Sequence, residues 1–477
     1  MLRPWNVEMQ VDHNSAQPLY LQIVDAIIAD IQSGRLQKGM ALPGSRKLAQ
    51  DLKVNRNTVV EALNVLLADG YLISKERKGT FVSEEIETLI DQLAPIESTV
   101  ITEEESYRIR FEDGHPDSKI APVKELARAY RQIFNRKAKW QRMGYVSEYG
   151  DLSFRKAMIQ MLNQQRGMNA MLDEICITRG SQMAMYLIAQ CLLNKGDSVL
   201  VEIPGYRAAW SAFEHAGATL LPVSVDSEGL SIDDVKIHLK NHSNIKAIYT
   251  TPHHQYPTTV SLSLKRRKEL VDLSNQHGFV IIEDDYDNEF HYTQQPLLPI
   301  SSLPYLKQYI YIGTMSKVVA PALRIGFVVT NNKILLKSIG DLRKIIDVQG
   351  DVIMEQAILQ LIEDGTIKRH LKRATSFYKK KRNTAIDLVE KHLGDWVTYT
   401  IPLGGMALWI VPKQEVSWTI FERFLQSEKV GIMSPQRYVL TGEGNGFRLS
   451  FGALSEEVLE EGMLILAKAF QIATIKK

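Results

Sequence analysis

Cysteine is nearly missing from this chain: two in 477 residues, Cys176 and Cys191, each in an apolar run without a Cys-x-x-Cys or histidine companion. That excludes a disulfide framework and a thiolate metal site, and two buried thiols are expected. Surplus charge is missing too. A net of +2, from 57 Lys and Arg against 55 Asp and Glu, creates no whole-chain field that would draw the protein to nucleic acid or an anionic surface. No apolar run approaches the roughly 18 residues of a membrane span, and the N-terminus lacks the basic, apolar, small-residue order of a signal peptide. A cytoplasmic protein with no membrane partner is therefore expected. The remaining composition is ordinary, 45% hydrophobic and 23% charged, over a length that exceeds one core and predicts two or more domains.

Leu19, Ile23, Ile27 and Ile31 recur every fourth residue and predict a helix over 18–31. After Gly34 and Gly39, Leu48, Ala49 and Leu52 mark a short helix over 45–52. Past the Lys53-Val54-Asn55 turn, Asn55 caps a third helix running to about Asp69, with Val59, Ala62, Leu63 and Leu66 facing inward. Two short helices joined so tightly form a helix-turn-helix. Its exposed corner carries Arg56, Asn57 and Thr58, where base edges and phosphates are met. Residues 71–82 read as a hairpin with a basic tip, suited to lie against a phosphate backbone. Three short helices also build protein-binding domains, and 10 Lys and Arg against 8 Asp and Glu over residues 1–82 leave that alternative open. Residues 83–107 then hold 8 Asp and Glu, no Lys or Arg, and Pro95. Like charge keeps such a stretch extended as a tether.

From about residue 108 helical patterns alternate with short apolar strands, which predicts an α/β domain around a mainly parallel sheet. Ligands of such sheets bind beyond the carboxyl ends of the strands. Lys317 follows one apolar run, with Thr314 and Ser316 before it and Arg324 after it. The amine can close an imine on an aldehyde, beside hydroxyls and a guanidinium fork suited to a dianionic phosphate. Gly180, Ser181 and Gln182 open a helix after strand 175–178 and expose backbone N–H groups, a second seat for phosphate. Tyr206, after strand 198–202, is placed to stack on a flat heterocycle or to pack as an ordinary aromatic. Strand 279–282 ends in Glu283-Asp284-Asp285-Tyr286-Asp287; one carboxylate there suits a protonated pyridine nitrogen, and several of the five are expected to be solvated loop acids. Residues 404–410 and 447–451 predict strands of a smaller lobe. Arg448, between apolar neighbours, is expected to be paired, and a carboxylate from ligand or protein would satisfy it.

The blocks Pro18-Leu19-Tyr20-Leu21-Gln22-Ile23, Leu42-Pro43-Gly44-Ser45-Arg46-Lys47-Leu48-Ala49, Val54-Asn55-Arg56-Asn57-Thr58-Val59 and Gly70-Tyr71-Leu72 through Gly79-Thr80-Phe81-Val82 resemble, in order, the winged helix-turn-helix of GntR-type regulators. Gly44 stands where that family usually has a capping serine. The resemblance implies DNA contacts by Arg46, Arg56, Asn57, Thr58, Lys75, Lys78 and Gly79.

Residues 110–470 resemble the fold-type I, pyridoxal-phosphate-dependent aminotransferases. That resemblance implies Lys317 as the Schiff-base lysine, Asp284 as partner of the pyridine nitrogen, Tyr286 at the ring hydroxyl and Tyr206 stacked on the ring. It also implies Gly180, Ser181, Gln182, Thr314, Ser316 and Arg324 at the phosphate, Arg448 at a substrate α-carboxylate, and no metal. The usual Asn-Pro-Thr-Gly turn is replaced by Thr251-Pro252-His253-His254-Gln255-Tyr256-Pro257-Thr258-Thr259, with His254 or Gln255 expected in place of the ring-contacting asparagine.

A GntR-type reader over 1–82, an acidic linker over 83–107 and an aminotransferase-like domain over 108–477 together resemble the MocR/GabR family of bacterial transcription regulators, in which the Thr-Pro-x-His-Gln-x-Pro variant is usual. The resemblance implies promoter DNA as a partner and a head-to-tail homodimer in which each DNA-binding domain crosses to the other subunit. It implies sensing of pyridoxal phosphate itself or of an amine such as γ-aminobutyrate, another amino acid or a D-amino acid, with imine exchange in place of full transamination. The other class of reading is a working aminotransferase with an accessory DNA-binding domain.

Overall fold

The computed structural model describes residues 11–12, 15, 17–75, 79–84, 107–111, 116–135, 144–287, 289–292 and 297–475. Lys78 and residues 85–106, most of the acidic stretch, lie outside the described residues. The chain divides into two compact units, residues 1–104 and 105–477.

The first unit is built from α1 (Leu19–Gln32), α2 (Ser45–Leu52), α3 (Arg56–Ala68) and the antiparallel pair β1 (Leu72–Lys75) and β2 (Gly79–Val82). Each boundary has a local cause. Gly44 caps α2 without a side-chain bond, Lys53 ends it in the left-handed region at φ 52°, and the Asn55 side chain accepts from the N–H of Asn57 at 2.8 Å. Ile23, Ile27, Leu48, Val59 and Leu66 form the shared core, and Leu72 paired with Val82 closes it.

The second unit contains β3 (Ile109–Arg110), β4 (Ile175–Thr178), β5 (Ser198–Ile203), β6 (Thr219–Asp226), β7 (Gly229–Leu230), β8 (Ile245–Thr250), β9 (Val280–Asp285), β10 (Tyr309–Thr314), β11 (Gly326–Thr330), β12 (Val397–Tyr399), β13 (Ala407–Pro412), β14 (Val430–Gly431) and β15 (Phe447–Ser450). Eight form a sheet in the order β4-β11-β10-β9-β8-β5-β6-β7. The five strands from β10 to β6 run parallel, while β11 and β7 oppose their neighbours. Alternation divides the buried residues between two faces. Ile281 and Ile248 join one core; Ile282 and Tyr249 join the other with Trp210 and Phe213. A third core lies under the antiparallel sheet β12-β13-β15 of the smaller lobe, and β14 pairs in parallel with β3.

Two expectations are corrected. Strand β9 does not stop at Ile282 but runs through Asp285, and Glu283, Asp284, Asp285 and Asp287 are all buried, at 0, 4, 4 and 2% exposure. Remote partners hold these acids: Glu283 accepts from the backbone N–H groups of Ile300 and Ser301, and Asp285 accepts from the Tyr311 hydroxyl at 2.5 Å. Cys176 is buried as expected, but Cys191 is only half-buried. Among the described residues no helix is long and apolar enough to cross a membrane.

Candidate functional site

At the carboxyl ends of β8, β9 and β10 lies a cavity of about 200 Å³ walled by Ser181, Gln182, Tyr206, Tyr249, Thr251, Tyr256, Asp284, Tyr286, Thr314, Ser316, Lys317, Pro321 and Arg324. Strand register brings these segments together. Ile312 pairs with Asp284, which sets the approach of the lysine loop to the acidic strand end. Thr314 pairs with Gly326 and Gly326 with Thr178, which brings the same loop to the start of helix Gly180–Leu192.

That helix start is shaped for close approach. Gly180 has φ +79°, and a Cβ there would lie 2.5 Å from Nη2 of Arg324. A Cβ on Gly326 would lie 2.8 Å from the Gly180 Cα. Two glycines thus let the Arg324 guanidinium fold over the helix N-terminus, where it donates to the Arg179 carbonyl at 3.3 Å. Among the described residues no side chain caps the helix, so its first N–H groups are available to an anion beside Ser181, Thr314 and Ser316.

On the opposite wall the Tyr206 hydroxyl donates to Gln182 at 3.2 Å, and its ring meets Tyr256 edge-on at 4.9 Å. Neither His254 nor Gln255 lines the cavity, contrary to the sequence expectation. His254 turns Nδ1 to Asp287 at 2.7 Å, in a space that a side chain at Gly404 would fill. The Gln255 amide is taken by Glu202 and by the carbonyl of Pro204. Thr251 and Tyr256 are the residues of that turn which reach the cavity. Tyr286 also lines it, donating to the His254 carbonyl at 3.0 Å. Arg448, 1% exposed, stands one layer out, with its guanidinium 5.1 Å from the Tyr256 ring and 5.8 Å from the Tyr286 ring. Tyr249, Thr251, Tyr256 and Pro321 were not anticipated from the sequence. A tyrosine inside a buried strand was the available signal, because its hydroxyl requires a partner.

Residues 109–465 match the family described as aminotransferase class I and II. The chain belongs to that family. Residues 19–82 match the gntR family of bacterial regulatory proteins, so an aminotransferase unit here follows a helix-turn-helix. The chain is 26% identical over 487 residues to the probable rhizopine catabolism regulatory protein MocR of Rhizobium meliloti, covering 96% of this chain and 95% of that one. It is 27% identical over 368 residues to aromatic-amino-acid aminotransferase 1 of Thermococcus litoralis, covering 76% and 88%. The kynurenine aminotransferase of Pyrococcus horikoshii, solved in complex with PMP, superposes with a TM-score of 0.72 at 27% identity, covering 82% of this chain and 94% of that one.

The aminotransferase family implies pyridoxal phosphate, and the residues present fit that group. Oδ1 of Asp284 and Oγ of Ser316 are buried without a hydrogen-bond partner among the described residues. One suits a protonated ring nitrogen and the other a phosphate oxygen. Among the residues lining the cavity Lys317 alone carries an amine.

Burial lifts the Asp284 carboxyl from its ordinary 3.8 to about 7; Asp285, Asp287 and Glu202 add to the rise and a hydrogen bond from Tyr249 opposes it. Because the folded value lies above the ordinary one, folding favours the protonated form. Stability of the cofactor-free aminotransferase unit is then lost as pH climbs from about 4 to about 7, by on the order of 4 kcal/mol. Asp284→Asn is expected to raise the melting temperature of cofactor-free protein at pH 8 and to leave it nearly unchanged at pH 4. Equal shifts at both pH values would refute the assignment of that charge.

In the N-terminal unit Arg46, Arg56, Asn57, Lys75 and Gly79 are exposed and Thr58 is half-buried. Asn57 and Thr58 open α3 beside Arg56, whose Nε donates to the Ser45 hydroxyl at 3.4 Å, so the corner of α2 and α3 carries the guanidinium. The Lys75 ammonium rests 5.2 Å from the Phe81 ring on the β1–β2 hairpin.

Proposed function

We propose that the protein is a pyridoxal-phosphate-dependent transcription regulator: its winged helix reads duplex promoter DNA, and its aminotransferase unit senses an amine-bearing carboxylate or the cofactor itself. The observation that carries this reading is a lysine-bearing cavity with a buried carboxylate oxygen left open to a ligand, on the same chain as a helix-turn-helix. When bound, pyridoxal phosphate supplies an aldehyde that combines reversibly with amines. The chain's own groups do the rest. Lys317 offers the amine that anchors it, Asp284 holds a proton at the ring nitrogen, and Arg324 with the helix N-terminus holds the phosphate. Arg448 offers its fork to an effector carboxylate. Arg46, Arg56, Asn57, Thr58, Lys75, Lys78 and Gly79 are the DNA contacts under this reading.

A path from the cavity toward the acidic linker supports a regulatory role. Strand β3, just after the linker, is tied down by Arg108 donating to Lys429 and Phe111 donating to Gly431. The chain leaving β14 reaches Met433, whose sulfur lies 3.6 Å from the Tyr256 hydroxyl in the cavity wall. A ligand that displaces Tyr256 therefore pulls on the segment that pairs with β3. Such a ligand shifts the equilibrium only by its difference in affinity for the two states, about 1–3 kcal/mol in typical cases. Exposed Ile345, Ile346 and Val348 support pairing with a second copy as a homodimer.

The test combines two measurements on one preparation. With pyridoxal phosphate bound, candidate amino acids and a keto-acid acceptor are added; product formation and affinity for a labelled promoter duplex are both followed. Substoichiometric product with a 5- to 150-fold change in duplex affinity is expected. Many turnovers per site, with DNA affinity unmoved, would make the protein a working aminotransferase.

A further inference from the structure

We infer that Tyr249 is a positioning residue, one that engages Oδ2 of Asp284 so that Oδ1 is turned over to a protonated ring nitrogen and the carboxylate keeps its charge when that ring is bound. This rests on the cofactor reading above and names a part of the site that neither the sequence motifs nor the family match assigns.

Strand geometry produces the contact. On β8 and β9 Tyr249 pairs with Ile282, and side chains two residues apart share a face, so Asp284 lies diagonally ahead of Tyr249 on the same side of the sheet. A phenol ring spans that diagonal. The Tyr249 hydroxyl donates to Asp284 Oδ2 at 2.7 Å, with both residues buried. Phe213 packs edge-on against the ring, with centroids 5.7 Å apart, and supports it on that side. Asp284 Oδ1 has no partner among the described residues. One oxygen is thus fixed and the other is left for a ligand.

The electrostatics require such a donor. Asp285, Asp287 and Glu202 all act to keep Asp284 protonated, as does burial, and the Tyr249 hydrogen bond is the largest contribution in the opposite direction. Without it the proton shared between carboxylate and ring nitrogen moves toward oxygen, and the ring loses positive charge. Phenylalanine at this position would preserve the packing and remove only the donor.

Tyr249→Phe is compared with the wild-type chain, both loaded with pyridoxal phosphate labelled with nitrogen-15 in the ring. The variant is expected to bind about tenfold more weakly, and its ring-nitrogen resonance is expected to move from the pyridinium toward the neutral pyridine position. A variant that binds equally well with an unmoved resonance would overturn the inference. So would a fall in the melting temperature of cofactor-free protein with the resonance unchanged, since that is a merely structural role. Wild-type protein that takes up no pyridoxal phosphate would overturn the cofactor reading itself, and this inference with it. Tyr249→His, which restores a donor, should recover part of the pyridinium signal; no recovery by any donor would count against positioning through the hydrogen bond.

Discussion

Lys317→Ala is expected to abolish the visible absorbance of protein incubated with pyridoxal phosphate while leaving the fold intact. The loss is total because among the described residues that line the cavity no other carries a primary amine. The phosphate seat is untouched by this change, so the cofactor should still associate, reversibly and with the spectrum of the free aldehyde. The loop has backbone ties of its own, separate from the lysine side chain. Its backbone is fixed by Met315 donating to the Ile325 carbonyl at 2.9 Å, Val319 donating to Met315 at 3.0 Å and Ser316 donating to the Thr314 hydroxyl at 3.1 Å. Unfolding free energy should therefore change by less than about 1 kcal/mol. Absorbance spectra before and after dialysis, with a denaturant melt of the same samples, check both halves. A band that persists through dialysis would place the covalent anchor at another residue.

The parts of this molecule that were legible in its sequence are those with local causes. Three N-terminal helices follow from an apolar stripe, a left-handed Lys53 and a capping Asn55, all within a few residues of what they control. Lys317, Thr314, Ser316 and Arg324 were legible because one strand and its loop carry them into the same cavity. The acids of β9 were misread because their partners are remote: Ser301 and Tyr311 hold Glu283 and Asp285, and nothing near the strand announces them. For the same reason His254 was expected in the cavity and Tyr256 was not. Glu202 at the end of β5 accepts from Thr250, Thr251 and Gln255, and this buried carboxylate sets the course of the whole turn. Local spacing cannot say which side chain of a turn faces inward when its anchor lies on another strand. Tyr249 was hidden differently, since a tyrosine in a buried strand reads as core until its hydroxyl is traced.

Gly180→Ala should reduce affinity for pyridoxal phosphate by on the order of a hundredfold, and more than its effect on stability would suggest. Two effects of the added methyl have to be separated. A backbone at φ +79° disfavours any side chain by about 1–2 kcal/mol, which lowers the melting temperature with or without ligand. The methyl would also meet Arg324 at Nη2, 2.5 Å away, and at Cζ, 2.9 Å away. The backbone on the other side of Gly180 cannot yield, because Gly326 already approaches it closely enough that a Cβ there would sit 2.5 Å from the Gly180 carbonyl carbon. The guanidinium must therefore be the part that moves, and its fork is withdrawn from the phosphate seat. Arg324→Ala supplies the control, since it removes the fork without straining the helix start. If the methyl acts by displacing Arg324, then Gly180→Ala weakens binding by about as much as Arg324→Ala, and the double variant is little worse than either. Cofactor titrations followed by absorbance give these affinities directly. Losses that add in full would mean that Arg324 and the helix start hold the phosphate independently, and the shared seat inferred from the two glycines would be wrong.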